Sequence, residues 1–218
     1  MPVMRPALAG RDVRVVDLPA DRPGAGVAEY VDAVLEVVGD HPRVVLVGHS
    51  LGGLTVPVVA ERLGVDRVAA LLLVGALVPV PGRAWQERAK EEGAMAPGFG
   101  RGQRRHDDGT TSWPPEAAET GLYAGVAEES GPSAVASAVA GLRAQDWTIT
   151  REVTPLTAWP AVRTIQVVCS GDRVVDPGWS RASGAVPGAE IVDIDGGHFP
   201  MLTRPDELAT IIAGAASP

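Results

Sequence analysis

The sequence predicts an α/β protein built on a mostly parallel, doubly wound sheet. Three observations predict it. Runs rich in Val, Leu and Ile alternate along the chain with helix-length amphipathic segments. Those runs are apolar on both faces, as suits parallel strands covered by helices on both sides. A glycine-framed turn joins one of the runs directly to a helix.

The elements follow in order. Residues 13–17 read as a strand. Val27, Tyr30, Val31, Val34, Leu35 and Val38 repeat at i, i+3, i+4, i+7 and predict a helix over 27–38. A strand over 43–48 leads through the turn into a helix over 51–63, which Pro57 is expected to kink. The longest apolar run, 68–78, contains Gly75 and is far short of the ~18 residues that suggest a membrane span, so it reads as a buried strand over 69–77. Strands over 163–169 and 189–194 alternate with helices over 177–184 and 205–213.

Between the third and fourth of these strands lies a long insert rich in Gly, Pro, Ala and Glu. The expected division is a core of 1–79 with 163–218, and a cap or lid of 80–162. Within the insert, 89–115 reads as irregular and 132–142 as a short Ala-rich helix. Trp85, Trp113, Trp147 and Trp159 lie there, either lining a pocket or packing the cap onto the core.

The glycine-framed turn is Val47-Gly48-His49-Ser50-Leu51-Gly52-Gly53. Gly48 and Gly52 frame Ser50 as G-x-S-x-G, in a strand-turn-helix context. Such an elbow lifts the serine hydroxyl clear of the sheet, and glycines are expected where neighbouring elements pass too close for side chains. The following helix start aims free N–H groups at an oxyanion forming beside Ser50.

A serine nucleophile needs a base, and the chain has four histidines. His49 reads as a packing residue inside the elbow, His41 as solvated before Pro42, and His106 as a surface residue in a charged stretch. His198 follows Gly196-Gly197 just past a predicted strand, placed to swing over the sheet edge. The orienting carboxylate belongs on the loop after the preceding strand. Asp172 comes first there, behind Gly171; Asp176 precedes Pro177 and can instead cap the next helix.

With Val15-Val16-Asp17-Leu18-Pro19, Gly48-His49-Ser50-Leu51-Gly52-Gly53, Cys169-Ser170-Gly171-Asp172-Arg173 and Gly197-His198-Phe199-Pro200-Met201-Leu202, the chain resembles the α/β-hydrolase superfamily. It is most similar to the small cap-bearing esterases related to plant methylesterases and hydroxynitrile lyases. The chain order Ser50, Asp172, His198 is that of the family. The resemblance implies Ser50 as nucleophile, His198 as base, Asp172 as acid and the backbone N–H of Leu51 as an oxyanion donor. It implies no metal and no organic cofactor. Dehalogenases and epoxide hydrolases of this kind carry Asp in place of Ser50. Hydroxynitrile lyases carry Lys after the catalytic histidine, where this chain has Phe199.

At its front end the chain departs from the pattern. Residues 1–10 resemble the tail of the family's first helix, and 12–18 its fourth strand; the His-Gly loop that supplies a second oxyanion donor does not precede them. The expectation is an N-terminally truncated fold in which 13–17 closes directly against 44–48, with self-association through an open sheet edge. Loss of one oxyanion donor typically costs ~2.7–4 kcal/mol.

Composition narrows the remaining classes. At 218 residues the chain suffices for one substantial core. Its formal net charge of −8 argues against an extended nucleic-acid surface and against attraction to anionic membranes. The one cysteine, Cys169, excludes an internal disulfide and reads as a buried thiol, and no Cys/His spacing suggests zinc. Residues 1–10 lack the apolar stretch of a secretory signal, so a cytoplasmic location is expected. The function read from the chain is hydrolysis of a small carboxylic ester through an acyl-enzyme. A type II-like thioesterase or a catalytically weak binding protein are the alternatives.

Overall fold

The computed structural model describes residues 8–182, 184 and 186–216. Helix α1 (Val27–Val38) forms where the periodicity predicts it and buries Val27, Tyr30, Val31, Val34 and Val38. Its free N-terminal N–H groups are met by carboxylates. Glu29 accepts from the Gly26 N–H at 2.9 Å and Glu152 from the Val27 N–H at 2.8 Å.

Strand β1 (Val44–His49) runs into a 3₁₀ turn over Ser50–Leu54 and then α2 (Val56–Leu63). The predicted single helix over 51–63 is therefore split. Pro57 falls in the first turn of α2, where its missing N–H has no intrahelical partner to lose, so it starts the helix and does not kink it. Strand β2 (Val68–Val74) follows.

The insert holds α3 (Trp85–Glu92), a two-rung hairpin of β3 (Arg104–Arg105) and β4 (Thr111–Ser112), and the short helices α4 (Pro115–Ala117), α5 (Val126–Ser130), α6 (Pro132–Ala140) and α7 (Thr148–Arg151). The stretch predicted as irregular over 89–115 thus contains the end of a helix and a hairpin. Part of the insert has its own small core of Ala118, Tyr123, Val126 and Val135. Trp85 and Ile149 instead join the main core.

The chain returns through β5 (Thr164–Cys169), α8 (Pro177–Arg181), β6 (Glu190–Ile194), α9 (Pro200–Thr203) and α10 (Pro205–Ala215). The main sheet has the order β1-β2-β5-β6, all parallel. Alternation along β2 divides its side chains between two layers. Leu71 and Leu73 pack with α1 and α2, while Ala70, Leu72 and Val74 pack with Leu208 and Ala209 of α10.

The front end differs from expectation. Residues 12–19 form no strand, and no backbone hydrogen bond joins them to β1 among the described residues. They do not close against 44–48. A slot stands between the two segments, lined by Val13, Val15 and Val16 on one side and Val44, Val45 and Val47 on the other. Side chains hold the outer segment in place. Arg14 Nη1 donates to the Val37 carbonyl at 3.0 Å, and Arg143 Nη2 donates to Asp17 at 2.7 Å and to the Leu18 carbonyl at 3.0 Å. The resemblance of 1–10 to a helix tail falls almost wholly outside the described residues.

Candidate active site

Ser50 follows the last residue of β1 and has φ = 50°, the one non-glycine residue with positive φ among those described. An L-residue pays for that conformation, and such strain persists only where the surroundings impose it. The Leu77 N–H donates to the Ser50 carbonyl at 3.0 Å and fixes the turn from behind. A Cβ on Gly48 would lie 2.8 Å from the Gly52 carbonyl oxygen, and one on Gly53 2.4 Å from that of Leu77. At Gly52 a Cβ would meet nothing within 4 Å. Close packing therefore requires Gly48 and Gly53, not the second glycine of the motif. The Leu51 N–H lies in the first turn of the 3₁₀ segment, where intrahelical acceptors are lacking.

His198 stands on the loop between β6 and α9 and is 5% exposed. Its Nδ1 lies 2.7 Å from Asp172 Oδ2. A carboxylate only accepts, so the proton sits on Nδ1 and leaves Nε2 as the basic nitrogen. The other Asp172 oxygen accepts the N–H groups of Val174 at 2.7 Å and Val175 at 3.0 Å, so the carboxylate is held from both sides. Asp176 is occupied elsewhere: it caps α8, accepting the Trp179 N–H at 2.7 Å. Gly75 closes the floor, because a Cβ there would sit 3.0 Å from Asp172 Oδ2 and 3.2 Å from His198 Nδ1. The only hint of this in the sequence is a glycine interrupting a buried apolar run.

Ser50 and His198 line one cavity but are not hydrogen-bonded to each other. Such contacts are often long in unliganded enzymes and tighten with substrate. His49, expected only to pack, bridges the two. Its Nε2 lies 2.7 Å from the His198 carbonyl oxygen, which fixes the Nε2–H tautomer, and the two rings are 4.6 Å apart. Desolvation, followed by repulsion from His198, pushes the His49 imidazole down to about 3, so it stays neutral. Burial, with the Asp172 charge adding to it, pushes the Cys169 thiol up to about 12 and keeps it unreactive. His41 and His106 stand apart; His106 pairs with Ser112 Oγ at 2.8 Å in the hairpin.

The cavity has a volume of about 1150 Å³, above the usual ~300–1,000 Å³ of a small-molecule site. Over Ser50 it is walled by Met95, Phe99, Trp113, Leu122 and Trp147 from the insert. Trp85 packs edge-on against Trp179, 5.3 Å between centroids, and Trp159 joins the main core. The four tryptophans thus divide evenly between lining and packing. Beyond the site the cavity continues along β1 to Arg43 and His41.

A family model described as the alpha/beta hydrolase family matches residues 1–211. The chain belongs to that family. Its fold is similar to a pyrethroid hydrolase from Sphingobium faniae JZ-2, with a TM-score of 0.76 and 20% identity over 100% of this chain and 92% of the other. It is similar to a polyneuridine aldehyde esterase variant at a TM-score of 0.74 and 15% identity, covering 96% of this chain and 89% of the other. A tomato methylketone synthase I variant complexed with beta-ketoheptanoate matches at 0.69 and 18% identity, over 88% and 78%. No curated protein matches the chain in sequence. Among the described residues no helix is long and apolar enough to cross a membrane.

Proposed function

We propose that this hydrolase cleaves a carboxylic ester through an acyl-enzyme, with Ser50 as nucleophile, His198 as general base and Asp172 as the orienting carboxylate. The observation that carries the reading is the doubly anchored Asp172 carboxylate bonded to Nδ1 of His198, which lines the same cavity as a serine at positive φ. The fold relatives named above, a pyrethroid hydrolase and an esterase, agree with ester chemistry.

In this mechanism Ser50 Oγ attacks the ester carbonyl carbon and its proton passes to His198 Nε2. The imidazolium is stabilised by Asp172, while the oxyanion on the former carbonyl oxygen faces the Leu51 N–H. The C–O bond breaks and the alcohol leaves with the proton from Nε2. Water then gives a proton to Nε2 and attacks the acyl carbon. The acid departs as Ser50 regains its proton. His49 acts as a positioning residue, holding the His198 backbone.

Residues 80–162 serve as the cap over a core of 1–79 and 163–218. Phe99, Trp113 and Trp147 make that wall apolar and favour a substrate with an apolar group beside the ester. A fluorophosphonate probe tests the nucleophile. Covalent labelling is expected at Ser50, together with p-nitrophenol release from p-nitrophenyl acetate. Labelling at another residue, or turnover that survives Ser50→Ala, would falsify the assignment.

A further inference from the structure

The loop that follows Asp172 is tied to the insert by contacts to which the proposed chemistry gives no role. Residues 174–176 are held on several sides. The Val174 and Val175 N–H groups donate to Asp172 Oδ1. The Ala96 N–H donates to the Val174 carbonyl at 3.0 Å, and the Asp176 N–H donates to the Ala94 carbonyl at 2.9 Å. These two bonds set Met95 antiparallel to Val175. Asp176 then caps α8 through the Trp179 N–H. Segment 94–96 leaves α3 through Gly93, whose φ of 66° is left-handed. Just before that turn, Glu92 reaches across to α8. Its Oε2 accepts Trp179 Nε1–H at 2.9 Å and its Oε1 accepts Arg88 Nε–H at 2.9 Å. The Arg88 side chain, 5% exposed, also donates from Nη1 to the Val78 carbonyl at 2.6 Å and lies 5.3 Å over the Trp179 ring.

We infer that Glu92 is a positioning residue for Asp172: it latches the insert to α8, and so keeps the Val174 and Val175 N–H groups aimed at the carboxylate. The inference rests on the ester-hydrolase reading for what Asp172 does. A carboxylate orients an imidazole only while its own donors stay in place. Here those donors lie on residues outside any helix, with only the 94–96 rung and the α8 cap to fix them. The docking of α3 is itself unusual, because its buried residues are Trp85 and Arg88. Burying a guanidinium is costly unless it is paired and hydrogen-bonded. Apolar side chains would dock the helix without that cost, but non-directionally. Hydrogen bonds from both Glu92 oxygens fix how α3 sits on α8, and with it the register of 94–96 against 174–176. Met95 and Val174 also line the cavity, so the same latch joins its wall to the proposed acid.

A mutant cycle between Glu92 and Asp172 tests this, read by p-nitrophenyl acetate turnover and by proton NMR of the resting protein. Glu92→Ala should lower kcat at least ~10-fold with KM within ~3-fold, the pattern of a lost transition-state interaction. In an Asp172→Asn background the same change should alter the residual kcat less than ~2-fold, because the two residues act through one contact. The His198 Nδ1 proton, identified by its loss in His198→Ala, is deshielded by its short bond to Asp172. Its resonance should move upfield or broaden in Glu92→Ala. Glu91→Ala, on the same helix and bonded only to Arg83 at the surface, should leave rate and resonance unchanged. Glu92→Gln keeps the shape but can no longer accept from both Trp179 and Arg88. It should shift the resonance in the same direction, and it carries the comparison if Glu92→Ala loses its cooperative melting transition. Equal losses of kcat in both backgrounds would mean a merely structural role and overturn the inference. An unchanged resonance in both Glu92 variants would overturn it as well. If the wild type turns over no ester, the ester-hydrolase reading fails, and the resonance alone decides whether Glu92 positions Asp172.

Discussion

On one side of Ser50 the sheet is continuous. Strands β2, β5 and β6 pair in register, and Leu72, Ile165, Val167 and Ile194 between them and α10 are at most 2% exposed. Asp172 and His198 sit on loops leaving this half. On the other side β1 has an unpaired edge, and Val15 of the segment beyond the slot is 46% exposed. The proposed acid–base pair is thus preorganised by backbone hydrogen bonds, whereas the proposed nucleophile stands at a seam. Preorganised dipoles cost no rearrangement during reaction, so the proposed proton transfer rests on the well-built half.

The largest expected effect lies at the seam. Ser50→Ala should lower kcat/KM for p-nitrophenyl acetate by at least ~10³-fold with the melting temperature nearly unchanged, since residues of a triad act as a unit. His198→Ala should match it within about tenfold. A His198→Ala protein with most of its activity would detach the well-built half from catalysis. Within that half, Asp172→Asn should cost ~10²–10⁴-fold in kcat through the wrong imidazole tautomer. Asp176→Asn should leave the rate near wild type and cost at most about 1 kcal/mol of stability, as Asn also caps helices well. Reversed rates would show that the carboxylate bonded to His198 is not the one that serves it.

Much of this was legible in the sequence for a definite reason. Strands β2 and β5 are buried on both faces, so they read as largely apolar runs that end where the site loops begin. The contact between Asp172 and His198 follows from two residues each placed just past a strand end, on strands that turn out to be neighbours. What failed to show depends on contacts distant in sequence. Residues 13–17 have strand composition, but a strand exists only with a partner, and their neighbours carry no signal of the slot. Gly52 fits the motif while Gly53 bears the close approach, because Leu77 comes from the segment just past β2. His49 looked inert because its acceptor is a backbone carbonyl 149 residues away.

A pair of core and rim substitutions measures the same contrast as stability. Ile165→Ala removes a side chain 2% exposed and should cost about 2–5 kcal/mol through lost burial and the cavity left behind. Val15→Ala, across the slot, should fall within about 0.5 kcal/mol of wild type. Urea denaturation of the two variants decides this. Equal losses would mean that the slot is closed in solution and the outer segment is part of the core.

A pH-dependent effect belongs to His49, which joins the two halves through its bond to the His198 carbonyl. Its folded-state value of about 3 lies below the ordinary 6.5. As pH falls through 6.5 the unfolded chain takes up a proton that the folded chain refuses. Stability is therefore lost progressively from about 6.5 down to about 3, and this contribution is constant above that window. One proton limits the slope to about 1.4 kcal/mol per pH unit. Other groups also weaken the fold in acid, such as Glu61, whose carboxyl is held low first by its hydrogen bond from Thr157. Those terms cancel in a comparison with His49→Gln, which keeps an N–H donor for the carbonyl but cannot titrate. The stability difference between wild type and variant should shift in favour of the variant as pH drops from 6.5 to 4, and hold steady between 7 and 9. Two curves that stay parallel across the whole range would mean that His49 takes up its proton in the folded state, and that water reaches the seam between the two halves.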